Sequence, residues 1–201
     1  MKKDEKSERS RRRILEVALD LFSRRGYRAT SVRDMAEQAG LSTGNVYHHF
    51  PDKISVFRAL LQQFAEAVDA PDFPLQRAIG AQPFPDNLEA IGRATEEVVR
   101  TWRRHVALIY VDMIEFDGAH MRSFYAGMAT RVADALARNP DATRNLAPDI
   151  DPVAAILIAI RFFLSYFTIE LLFGVPNHFG KSSEEVIRDI ARIFRGGVST
   201  Q

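Results

Sequence analysis

A chain of 201 residues, 46% of them hydrophobic, can bury a full core as one large domain or two small ones. The absence of cysteine excludes a disulfide framework and thiolate chemistry, and Asp4, Glu5 and Glu8 interrupt the N-terminus before any apolar run, excluding a secretory signal there, so a cytoplasmic protein is expected. The net charge of +1 hides an asymmetry: residues 1–58 hold 13 Lys/Arg against 8 Asp/Glu, whereas residues 59–201 hold 14 against 18. A polyanion partner for the first segment is one reading of this, and a merely solvated basic face is the other.

In chain order, Ile14, Leu15, Ala18, Leu19, Leu21 and Phe22 make a helical stripe that predicts a helix from near Glu8 to Arg25, ended by Gly26. Ser31-Val32-Arg33-Asp34 has the form of a capping box and opens a second helix from Val32 to Ala39, with Gly40 at its left-handed end. Ser42 caps a short third helix reaching His48, and Asp52 caps a fourth running to about Val68. From Ala70 to Pro85 the four prolines and Gly80 argue for a linker or short turns, a candidate domain boundary.

Further helices are expected over Asn87–His105, Val106–Phe116 and Ala119–Arg138, the last closed by Asn139-Pro140. Asp151-Pro152 starts a long one, apolar through Phe173, and Glu184–Arg195 forms the last. No segment sustains strand-like alternation, so the expected fold class is all α. The run Val153–Phe173 is long enough to cross a bilayer, but Arg161 near its centre would cost at least about 2.5–3.5 kcal/mol there. A buried helix is the better reading, and no membrane partner is expected.

The stretch GLSTGNVYHHFPDK, residues 40–53, carries the sharper signal. Ala36, Gly40 and Val46 supply a small residue, a turn glycine and a core plug at the offsets that two crossing helices need, which is helix-turn-helix geometry over about 31–50. With Ile14-Leu15, Ala18, Phe22, Gly26-Tyr27, Thr30-Ser31-Val32, Met35-Ala36, Ala39-Gly40-Leu41-Ser42, Gly44, Val46-Tyr47, His49-Phe50 and Asp52-Lys53, residues 9–60 resemble the TetR family of one-component transcriptional repressors in order and spacing. The rest of the chain matches only in being helical.

The resemblance implies an N-terminal three-helix DNA-binding domain, residues 1–52, and a larger helical ligand-binding and dimerisation domain, residues 53–201. It further implies a double-stranded DNA operator, a small-molecule effector and a homodimer. Thr43 and Asn45 are expected to reach base edges and Gly44 to let the backbone approach DNA, with helix capping, clearest for Ser42, as the other reading. Tyr47 and His48 are assigned to phosphates, Lys53 to a phosphate at the start of the fourth helix, and Thr30, Ser31 and Arg33 to the backbone on the other side. Arg11, with Arg9, Arg12 and Arg13, forms an arm toward the minor groove, while His49 is open to either role.

No catalytic constellation and no metal or cofactor motif stands out, and an enzyme is not expected. The adjacent His48-His49 point to different faces, and Asp112, Glu115 and His120 read as surface charge across the break at Asp117-Gly118. For the expected effector cavity the candidates are Trp102, His105, Tyr110, Met113, Phe124, Met128, Phe163 and Tyr166, although aromatic stripes more often build core. The apolar stripe of the last helices, Phe163, Phe167, Val186, Ile187, Ile190 and Phe194, is expected at a dimer interface, or else closes its own subunit's core. An enzyme using the cavity and a DNA-binding protein without ligand are the alternatives.

Overall fold

The computed structural model describes residues 2–139 and 141–198, so Pro140 of the expected closing turn lies outside the described residues. Eleven α-helices and no strand occur among them: α1 Lys2–Arg25, α2 Val32–Ala39, α3 Thr43–His49, α4 Lys53–Asp69, α5 Pro74–Ala81, α6 Leu88–Thr101, α7 Arg103–Phe116, α8 Arg122–Ala126, α9 Met128–Ala137, α10 Pro152–Phe167 and α11 Ser183–Val198. A π-helical turn, Thr168–Leu172, extends α10.

The chain forms two compact units, one of Met1–Glu66 with Arg104–Ser123, the other of Ala67–Arg103 with Phe124–Gln201. This division differs from the expected boundary at 52/53, because all but the end of α4 and nearly all of α7 belong with the helix-turn-helix. In the first unit Phe22 of α1, Tyr27, Phe57 of α4, Phe116 of α7 and His120 form one aromatic cluster, with ring centroids 4.7–5.9 Å apart. Asp112, fully buried, accepts from the backbone N–H groups of His120 (3.2 Å) and Met121 (3.0 Å) and lies 2.7 Å from His120 Nδ1. The carboxylate thereby ties the Asp117-Gly118 turn back onto α7, so the expected surface charge is a core group.

In the second unit α6 packs on α5, α10 and α11, and α9 on α5 and α10. Gly92 makes this possible: a Cβ there would lie 2.9 Å from Ile187 Cγ2 and 3.0 Å from the Phe163 ring. Pro152–Leu172 is long and apolar enough to span a bilayer by length and composition. It is instead the core helix of this unit, burying Ala155, Ile156, Ala159, Ile160, Phe163, Tyr166 and Phe167.

Several expectations shift. α1 starts six residues before Glu8, with Asp4 and Glu5 in its first turn complementing the helix dipole, a feature that apolar periodicity does not register. Within Ala70–Pro85 a helix forms, because Pro74 occupies the first turn, where proline lacks nothing that a helix needs, and the buried Asn87 side chain donates to the carbonyls of Ala78 and Ile79 near the end of α5. The single helix expected over Asn87–His105 breaks at Trp102, where the chain leaves one unit for the other, and the one expected over Ala119–Arg138 breaks at Gly127.

Candidate nucleic-acid interface

α2 and α3 are shaped by their caps. The Ser31 hydroxyl accepts from Asp34 N (3.1 Å) and the Asp34 carboxylate accepts from Ser31 N (2.7 Å), a complete capping box; the Ser31 hydroxyl, 2.6 Å from Asp34 Oδ2, and then that backbone N–H hold the Asp34 carboxyl below its usual range. Gly40, at φ 69°, donates its N–H back to α2 and turns the chain, and Leu41 N reaches the Ala36 carbonyl at 2.9 Å. Ser42 Oγ accepts from Asn45 N at 3.1 Å, and Asp52 Oδ1 accepts from Ser55 N at 2.8 Å to start α4. Met35, Ala36, Val46 and Phe50 are buried beneath these turns.

With Val46 inward, helical periodicity turns Thr43, Gly44, Tyr47 and His48 outward as one exposed face, on which Tyr47 retains 54% of its accessible surface. Ser31 and Arg33 are exposed at the first turn of α2. Asn45 is half-buried, and its Oδ1 is buried without a hydrogen-bond partner among the described residues, so it stands behind that face rather than on it. His49, also half-buried, sits edge-on to His48 at 5.2 Å. Burial, then His48 and Arg11, push its imidazole below the ordinary range. The Arg11 guanidinium lies 5.4 Å over the Phe50 ring.

Two expected DNA contacts have other partners. Thr30 is buried, with its hydroxyl donating to the Gly26 carbonyl at 2.9 Å. Lys53 donates to the carbonyls of Tyr27 (3.0 Å) and Thr30 (2.9 Å), with its ammonium 3.9 Å from the Tyr27 ring centroid. Only its third hydrogen is left for a phosphate. Sequence reasoning missed Glu115, read as surface charge: its carboxylate accepts from the backbone N–H groups of Tyr27 and Arg28, both at 2.8 Å. The glycine at 26 was the available signal, since a Cβ there would lie 2.6 Å from Glu115 Oε1.

The effector candidates divide between the units. His105, Tyr110 and Met113 lie in the first, and Trp102, Phe124, Met128, Phe163 and Tyr166 in the second. Met113 is exposed, whereas Phe163 is fully buried and the buried Tyr166 donates to Glu170 Oε1 at 2.9 Å. Those two side chains are core. Burial, with Arg104 adding, lowers the His105 pKa to about 4. Of the expected interface stripe, Phe163, Phe167, Val186, Ile187 and Ile190 are buried in their own unit and Phe194 is partly so. Helical periodicity could not tell which side of the nearly all-apolar α10 faces inward, nor whether the stripe of α11 meets its own unit or a second copy; the exposed large apolar residues on these two helices are Ile158, Phe162 and Ile193.

Residues 14–60, which span the capped turns just described, match the family described as "Bacterial regulatory proteins, tetR family". Residues 14–60 thus carry the TetR-family regulatory domain. The chain is 36% identical over 126 residues, 61% of this chain and 59% of the other, to the HTH-type transcriptional repressor KstR2 of Rhodococcus jostii (strain RHA1). The chain thus spans less than two thirds of that relative's length. Among solved structures it is similar to the ketosteroid transcriptional regulator KstR2 of Mycobacterium tuberculosis, with TM-score 0.58, 21% identity and 95% of each chain covered. A TetR family transcription regulator from Marinobacter aquaeolei VT8 aligns over 100% of both chains with TM-score 0.70 and 18% identity. These two likenesses extend the shared all-α fold beyond the matched segment.

Proposed function

We propose that the protein is a cytoplasmic transcriptional repressor that binds double-stranded DNA through α3. The observation that carries this reading is the outward face of Thr43, Gly44, Tyr47 and His48 on a short capped helix, flanked by Ser31 and Arg33. Tyr47 and His48 take phosphates, Thr43 reads base edges, and Gly44 leaves room for the duplex. A homodimer would present two such faces to a palindromic operator, about one DNA turn apart. On α10 and α11, Ile158, Phe162 and Ile193 are exposed apolar residues that a second copy could cover. A small hydrophobic or amphipathic effector would release the DNA, and the word ketosteroid in a structural neighbour's name agrees with an apolar class.

The experiment is binding of the full chain to duplexes selected from a random pool, across a salt series. Tyr47→Ala is expected to weaken binding to every duplex and to flatten the log–log salt slope by about 0.9, the loss of one phosphate contact. Thr43→Ala is expected to change the preferred sequence instead. A full chain that selects no duplex would overturn the reading.

A further inference from the structure

The turn between α1 and α2 is held from both sides by residues distant in sequence. Gly26, at φ 83°, orients the next two backbone N–H groups together, and the Glu115 carboxylate sits on them, Oε1 on Tyr27 and Oε2 on Arg28. Successive N–H groups after a left-handed residue form a small anion-binding concavity, here filled by the protein's own carboxylate. The Arg28 guanidinium closes over it, with Nε 3.8 Å from Glu115 Oε2. From the other side Lys53 takes the Tyr27 and Thr30 carbonyls. The next residue, Ser31, is the N-cap of α2, and α2 carries α3 through the Gly40 turn.

We propose that Glu115 is a positioning residue for DNA binding: seated on the Tyr27 and Arg28 amides, it fixes the turn from which α2 and α3 hang, so that α7 and the DNA-docking face move as one body. The proposal rests on the DNA-binding reading above. It places a determinant of docking geometry 55 residues beyond the matched segment 14–60, on a helix whose aromatic Phe116 also contacts Tyr27 and Phe57. Glutamine at 115 keeps the shape but replaces one acceptor with an NH2 group that faces a backbone N–H, so one of the two bonds is lost. The direction of the effect discriminates. Removing a negative charge from a protein that binds a polyanion strengthens binding if the group acts only as a charge.

The test uses the full chain and a random-sequence duplex. Folded Glu115→Gln is expected to bind about tenfold more weakly than the unmodified chain. Glu97→Gln, the same charge change at an exposed residue of the other unit, should bind equally well or better. Equal or tighter binding by folded Glu115→Gln would overturn the proposal. Because the substitution also loosens the turn, amide exchange in the unmodified chain supplies a separate reading. Saturating duplex should slow exchange at Tyr27 and Arg28 more than at Val98 and Val99 of α6, and no such difference would also overturn it. An unmodified chain that binds no duplex overturns the DNA-binding reading itself, a distinguishable failure.

Discussion

α3 and α10 reach their places by different physics. α3 is 7 residues long and buries only Val46, too little to form alone, and it is set by Ser42 at one end and Phe50 at the other. α10 is 16 residues long and buries seven side chains, packed so closely on α6 that a Cβ at Gly92 would lie 3.0 Å from the Phe163 ring. Local hydrogen bonds chosen by residue type make the first readable from a few letters. Packing against partners far along the chain makes the second readable only once those partners are known.

The largest effect expected from this contrast is in α10 and α11. Phe163→Ala removes a fully buried ring and should cost about 3–5 kcal/mol in denaturant unfolding, and Ile190→Asp should prevent the second unit from folding. If the protein is the proposed homodimer, Ile158→Asp with Ile193→Asp, both on exposed positions, should leave helicity intact and shift sedimentation toward monomer. A persisting dimer would put the interface on another face.

A smaller effect tests whether α7 behaves as core. His105 has its pKa lowered from 6.5 to about 4 by burial, so the folded state holds it neutral where the unfolded chain protonates it. Its contribution is full above pH 6.5 and is lost as pH falls toward 4, about 2 kcal/mol once its residual hydration is discounted. Thermal unfolding from pH 7 to pH 4 should show this loss, and His105→Gln should flatten the upper part of the curve. An unchanged profile in the variant would assign the acid sensitivity to other groups.

The smallest is local to α3. Ser42→Ala removes the acceptor for Asn45 N and should cost about 1 kcal/mol, with DNA affinity falling while the unfolding of the second unit is unchanged. A fall in the stability of both units would mean that α3 is tied to more than its own caps.

Much of the candidate interface was therefore legible in advance. Ser31 with Asp34, Gly40, Ser42 and Asp52 determine where α2, α3 and α4 begin or end, because a cap is a bond between residues three or four apart and needs no distant partner. The all-α class followed equally from local periodicity. Only the tertiary structure decided that Lys53 turns inward to the Tyr27 and Thr30 carbonyls, that Asp112 and Glu115 are structural carboxylates rather than surface charge, and that Ile187 and Ile190 face their own core. The physical reason is the same in each case. A side chain's own chemistry states what kind of partner it needs, but which backbone amide or apolar face meets it, 23 to 88 residues away for Lys53 and Glu115, is set by how the helices pack.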